Sequence, residues 1–158
     1  MREKTAQEVY DLFLADGEFR INEVDFSLIK KMRNAALENA EYIEFLLKQQ
    51  IINWRVIYTL YYDVLRELCE ALIKCNGIKI SNHQGCFAYI CIKFPELELD
   101  WNFFEKIRNT RNRNKYEGKD IIQQDWKEIQ LQLRLYVSTI KTVLEEKLKG
   151  NESKEEDN

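Results

Sequence analysis

A single proline, five glycines and a single histidine are all that the 158 residues hold of these types, while 45% of the chain is hydrophobic. A chain so rarely interrupted has the material for one sizeable core and no composition break that would divide it into two domains. Long apolar runs are missing as well. None approaches the ~18 residues that a membrane span requires, and the start, MREKTAQEVYDLF, is too polar and acidic for a signal or transit peptide. The expectation is a cytoplasmic protein that makes no membrane contact. Overall basic charge is lacking too, the formal net being −3, so any attraction to nucleic acid must come from a local patch. Glycine-rich phosphate loops, an HExxH helix and a nucleophile elbow are absent. Cys69, Cys75, Cys86 and Cys91 fall within 23 positions, but they are spaced CxxxxxC and CxxxxC rather than as paired CxxC, and only one histidine accompanies them. Reduced thiols filling helix faces are expected, with no metal and no cofactor.

What is present is helical periodicity. Apolar residues recur at three-and-four spacing almost throughout, and nowhere do they alternate for long enough to build a sheet, so the expected fold is all-α. A short helix over about 4–16 stops at Gly17. A second, about 24–49, carries Ile29, Met32, Ala36, Ala40, Ile43 and Leu47 on one stripe. The third, about 51–75, is lined by Trp54, Tyr58, Tyr61, Leu65, Leu68 and Leu72 and should be central. Its aromatic residues sit at the spacing that packing demands and are read as core. Asn76 and Gly77 end it, the turn GIKISN follows, and Ser81 or Asn82 caps a short helix from His83 to about Phe94, before the lone Pro95. Asp100 caps the next helix. The last begins after Gly118, with Ile122, Trp126, Ile129, Leu133, Tyr136, Ile140 and Val143 forming a seam. The predicted architecture is an antiparallel up-down bundle of four main helices plus short extra ones. It is a single domain over 1–149, followed by a disordered charged tail, GNESKEEDN, over 150–158.

One run departs from this pattern, KIRNTRNRNKYEGK. Between Glu105 and Asp120 six bases stand against three acids, a local charge of +3 that leaves −6 on the remainder of the chain. Such concentration on an acidic body focuses anion attraction, and arginine can fork onto phosphate oxygens. Phe103, Phe104 and Ile107 define the buried side of this helix. Continuing their stripe brings up Arg111 and Asn114 where another Leu or Ile would be expected. An inward guanidinium needs partners, and the central helix offers a polar stripe of Arg55, Thr59, Asp63, Arg66 and Glu70, in which Asp63 or Glu70 can hold Arg111. The alternative reading is a solvated basic helix end that complements the helix dipole.

The order of YYDVLRELCEAL, GIKISNH and IRNTRNRNKYEGK, over roughly residues 24–147, resembles the HEPN family (higher eukaryotes and prokaryotes nucleotide-binding domains), especially its uncharacterised archaeal and bacterial members. The resemblance implies an antiparallel helical bundle, a homodimer, and either RNA or nucleotide binding or metal-independent endoribonuclease activity, in defence or toxin–antitoxin settings. The family pattern is an Arg followed by a polar residue, with a His four to six residues after the Arg. Here these positions hold Arg111, Asn112 and, in place of the His, Tyr116. Tyrosine, with a reference pKa of about 10, is a poor base near neutrality, although it can donate a hydrogen bond or stack on a base. His83, at a helix N-terminus that favours its neutral form, is the other candidate for proton transfer. The expected site therefore comprises Arg111, Asn112, Tyr116 and His83 for chemistry and Arg108, Arg113, Arg66 and Glu70 for binding. Three functions follow: an RNA- or nucleotide-binding dimer with weak or absent ribonuclease activity, an active ribonuclease, or a protein-interaction partner of a minimal nucleotidyltransferase, with Tyr116 as a modification acceptor.

Overall fold

The computed structural model describes residues 2–157. It is an all-α helical bundle, with six α-helices and one very small sheet among the described residues. The elements are α1 (Ala6–Ala15), β1 (Arg20–Ile21), α2 (Phe26–Leu46), α3 (Trp54–Cys75), β2 (Ile78–Lys79), α4 (His83–Lys93), α5 (Trp101–Glu117) and α6 (Gln123–Glu156), with a 3₁₀ turn at Pro95–Leu97.

Local chemistry sets the helix starts. The side chains of Thr5, Asp25, Asn53, Asn82 and Asp100 each accept a hydrogen bond from a backbone N–H in the first turn that follows, which satisfies donors that have no partner inside the helix. Asn82, rather than Ser81, is the cap of α4: its Oδ1 lies 3.0 Å from the N–H of Gly85. Helix α5 stops at Gly118, whose φ of 66° is left-handed and suits a residue without Cβ. Asn114 then donates to the Lys119 carbonyl at 2.7 Å and closes the turn.

Helix α3 is the centre, as its aromatic stripe predicts. Tyr58, Tyr61, Leu65, Leu68 and Leu72 are buried, joined by Ile57, Tyr62, Val64 and Ile73. Ile29, Ala36 and Ile43 of α2 pack on it, as do Trp126, Ile129, Leu133 and Ile140 of α6. Helix α4 is buried along Gly85–Ile90, all round rather than on one stripe. The four cysteines are free, and Cys69 and Cys86 are fully buried among apolar side chains.

Two details differ from the sequence reading. Part of the GIKISN turn is strand: Ile78 and Lys79 pair antiparallel with Ile21 and Arg20, and the Asn22 N–H donates to the Gly77 carbonyl at 2.8 Å. Pairs this short leave no alternation to detect, but they tie the α1–α2 and α3–α4 connections together and fix where α4 begins. The charged end, expected to be a disordered tail over 150–158, is helical through Glu156. Links at i,i+4 hold it there, from Asn151 to Glu155 and from Ser153 to the Lys149 carbonyl, together with a Lys30–Glu152 ion pair at 3.3 Å.

Candidate functional site

An aromatic line leads from the core to the surface. Phe104 of α5 stacks on Phe87 of α4 with ring centroids 4.5 Å apart, and Phe87 meets the edge of Tyr62 at 5.8 Å. All three are fully buried. Tyr62 then lies beneath a polar cleft, behind the side chains that line it. Its hydroxyl lies 3.1 Å from Nδ1 of His83, and the guanidinium of Arg111 sits over its ring, 5.0 Å from the centroid.

The cleft, of about 480 Å³, opens between α3, the start of α4 and the end of α5. Four cations line it, Arg66, Arg108, Arg111 and Lys115, against one carboxylate, Asp63. Ser81, Asn82, His83, Gln84, Asn112 and Tyr116 supply polar groups around them. Fixed helices and carboxylates behind the lining hold the guanidiniums. Arg66 donates to Glu70 at 2.6 Å, and Arg108 makes two bonds to Glu105, at 2.8 and 3.0 Å. Gln84 also donates to Glu105 at 2.9 Å, which locks α4 to α5. Burial acts to lower the pKa of Arg66, but Glu70, Asp63 and Glu67 outweigh it and the net shift is upward. Donation to the Glu105 carboxylate raises that of Arg108. Both stay charged.

Arg111 is held differently. Its partner is Asp63, not Glu70, and the closest approach is 3.7 Å, too long for a strong hydrogen bond. Asp63 Oδ1 lies between Arg111 and Arg66, 3.8 Å from the latter's Nε. That oxygen, Arg66 Nε and Arg111 Nε are buried and have no hydrogen-bond partner among the described residues. The cleft thus carries concentrated positive charge with unused hydrogen-bonding capacity. His83 registers it: burial first, then Arg66, Arg111, Lys115 and Arg108, bring its pKa down to about 4, so the imidazole is neutral at neutral pH.

Most of the residues expected from the sequence meet here: Arg66, His83, Arg108, Arg111, Asn112 and Tyr116 all line the cleft. Glu70 stands behind Arg66 rather than in the lining. Arg113 does not line the cleft. It lies on the opposite flank of α5, in a recess of about 730 Å³ that it shares with Glu117, Asp125 and Glu128. Asn112 and Tyr116 border both spaces, and Tyr116, 73% exposed, marks the rim. The sequence reading missed two participants. Lys115 lies four residues after Arg111, one helical turn on, and that spacing could have placed it. Tyr62 adjoins Asp63 in α3, but its role depends on α4 and α5 and has no signal in the sequence.

Among the described residues, no group of three metal-ligating side chains comes together, and no helix is long and apolar enough to cross a membrane. The chain matches no model of a known protein family, no curated protein and no solved structure.

Proposed function

We propose that the cleft binds the phosphate groups of RNA or a nucleotide, and that the protein is a binding module with weak or absent ribonuclease activity. The observation that carries this reading is the convergence of Arg66, Arg108, Arg111 and Lys115 on one recess of an otherwise acidic chain. Guanidiniums fixed by carboxylates behind them are preorganised to fork onto phosphate oxygens, and the like charges gathered around Arg111 favour an anionic ligand. The resemblance to HEPN domains points to the same ligand class. Catalysis is weak on this reading because His83, with a pKa of about 4, is a feeble base and is scarcely protonated at neutral pH, while Tyr116 is exposed at the rim.

Binding of labelled single-stranded RNA, followed by fluorescence anisotropy over a range of salt, tests the proposal. Affinity should fall as salt rises, and Lys115→Glu, at an exposed position, should weaken it further. Binding that ignores both salt and this substitution would overturn the reading. Incubation of the same RNA with chelator present separates the module from a metal-independent ribonuclease, since efficient cleavage would establish the enzyme.

A second reading concerns assembly. Leu131 and Leu135 of α6 are 77% and 61% exposed, one turn apart, and between them Arg134 pairs at 2.8 Å with Glu44 of α2, beside exposed Tyr42 and Phe45. An apolar face of this kind suits a second copy of the chain or a protein partner such as a minimal nucleotidyltransferase. Sedimentation of the purified chain, alone and after co-expression with its genomic neighbours, distinguishes these outcomes.

A further inference from the structure

A second recess lies on the other side of Arg111. It has about 470 Å³, within the range of about 300–1,000 Å³ usual for small-molecule sites, and it shares Arg111 and Lys115 with the polar cleft. Its character is different. Val56 and Leu60 of α3 supply apolar walls, Thr59 and Asn114 supply hydrogen-bonding groups, Arg55 adds a third cation, and no carboxylate lines it. Asn114 already donates its Nδ2 to the Lys119 carbonyl at 2.7 Å, which fixes the side chain and leaves its Oδ1 as an acceptor.

Two adjoining spaces, one polar throughout and the other walled by Val56 and Leu60 among cations, match an anionic ligand that also has a flat apolar part. We infer that the ligand is a nucleotide unit with its base unpaired, the phosphate lying in the cleft with Arg66 and Arg108 and the base in the Val56–Leu60 recess, with Arg111 between them. This rests on the phosphate-binding reading above and sharpens it. Aliphatic side chains and a guanidinium plane are surfaces on which a base packs, and Thr59 and Asn114 can meet its polar edge. A base seated there cannot remain paired, so duplex RNA is disfavoured. The absence of carboxylate from the lining and its three cations, Arg55, Arg111 and Lys115, suit an anionic nucleotide better than a neutral or cationic apolar ligand.

Calorimetric titration of the full chain with inorganic phosphate, ribose 5-phosphate and adenosine 5′-monophosphate tests the inference, together with one RNA sequence offered as single strand and as duplex. The nucleotide should bind about tenfold more tightly than ribose 5-phosphate, in keeping with the contribution of base stacking. The single strand should bind more tightly than the duplex. Val56→Asn, at a position 37% exposed, and Thr59→Trp, which plugs the recess, should each bring the ratio of nucleotide to ribose 5-phosphate affinity close to one. Equal binding of nucleotide and ribose 5-phosphate by the unaltered chain, or an unchanged ratio in both variants, overturns the base recess and leaves the phosphate cleft standing. No binding of any of the three small ligands overturns both.

Discussion

Replacing Arg111 with methionine keeps an unbranched side chain over Tyr62 and removes the charge. In the unliganded protein this should cost little. The guanidinium is paired with Asp63 at 3.7 Å, beyond good hydrogen-bonding range, and it faces Arg66, Arg108 and Lys115 across the same cleft. Loss of a partly exposed ion pair and of the contact with Tyr62 removes about 0.5–2 kcal/mol, and relief of repulsion among the cations offsets part of that. The net change in unfolding free energy should stay within about 1 kcal/mol. Binding should respond far more. A hydrogen bond to a charged group contributes about 1.5–3 kcal/mol, so affinity for single-stranded RNA should fall roughly ten- to a hundredfold. The slope of log affinity against log salt should flatten by about 0.7, the loss of one phosphate contact on a single strand. Urea unfolding and anisotropy titrations at several salt concentrations measure the two effects. A loss of stability of about 3–5 kcal/mol with unchanged affinity would show that Arg111 is a buried structural ion, and would refute the reasoning.

Arg113→Ala should change RNA affinity by less than about twofold, measured in the same titration, because the side chain lies on the far flank of α5 among acids and makes no phosphate contact. Stability should depend on pH through His83. Its folded pKa, about 4, lies below the ordinary 6.5, so the unfolded chain takes up the proton first. The contribution of neutral His83 is then fully present above about pH 6.5 and is lost as pH falls from 6.5 toward about 4. His83→Gln should flatten the fall of the urea midpoint over that window, and superimposable pH profiles for the two proteins would contradict this. Gly85→Ala should destabilise by about 1 kcal/mol, the low end of overpacking costs. Its new methyl would stand 2.5 Å from Ile80 Cδ1, which can turn aside, and 3.2 Å from the Phe13 ring, which is harder to move. A raised melting temperature in this variant would count against close packing at the start of α4.

The framework could be read from the sequence because it rests on local rules. The caps at Asn82 and Asp100, the stop at Gly118 and the aromatic stripe of α3 all follow from residue type and helical spacing. The polar turn of the α5 stripe at Arg111 was legible for the same reason, and it led to Asp63 or Glu70, of which Asp63 is the partner. What could not be read is what depends on separate elements meeting. His83 and Arg111 share a cleft because α4 packs on α5 through Phe87 and Phe104, a contact that no local pattern announces. The flank that Arg113 occupies was legible too. At 100° per residue Arg113 points about 200° from Arg111, to the other flank, while Arg108 and Lys115 stay near the face of Arg111. Composition suggests that the charged end after Gly150 is disordered, yet its Glu and Lys residues are also good helix formers, and Asn151 and Ser153 find partners one turn away.

The central claim is that one cationic cleft, lying above buried Tyr62, is where this chain takes hold of phosphate. Nuclear magnetic resonance reads it most directly, by following the arginine Nε–H and histidine ring signals as inorganic phosphate and then a single-stranded oligonucleotide are added. The account predicts saturable shifts at Arg66, Arg108, Arg111 and His83, with Arg113 unmoved. Shifts centred on Arg113 and the far flank of α5, or none at saturating ligand, would contradict it.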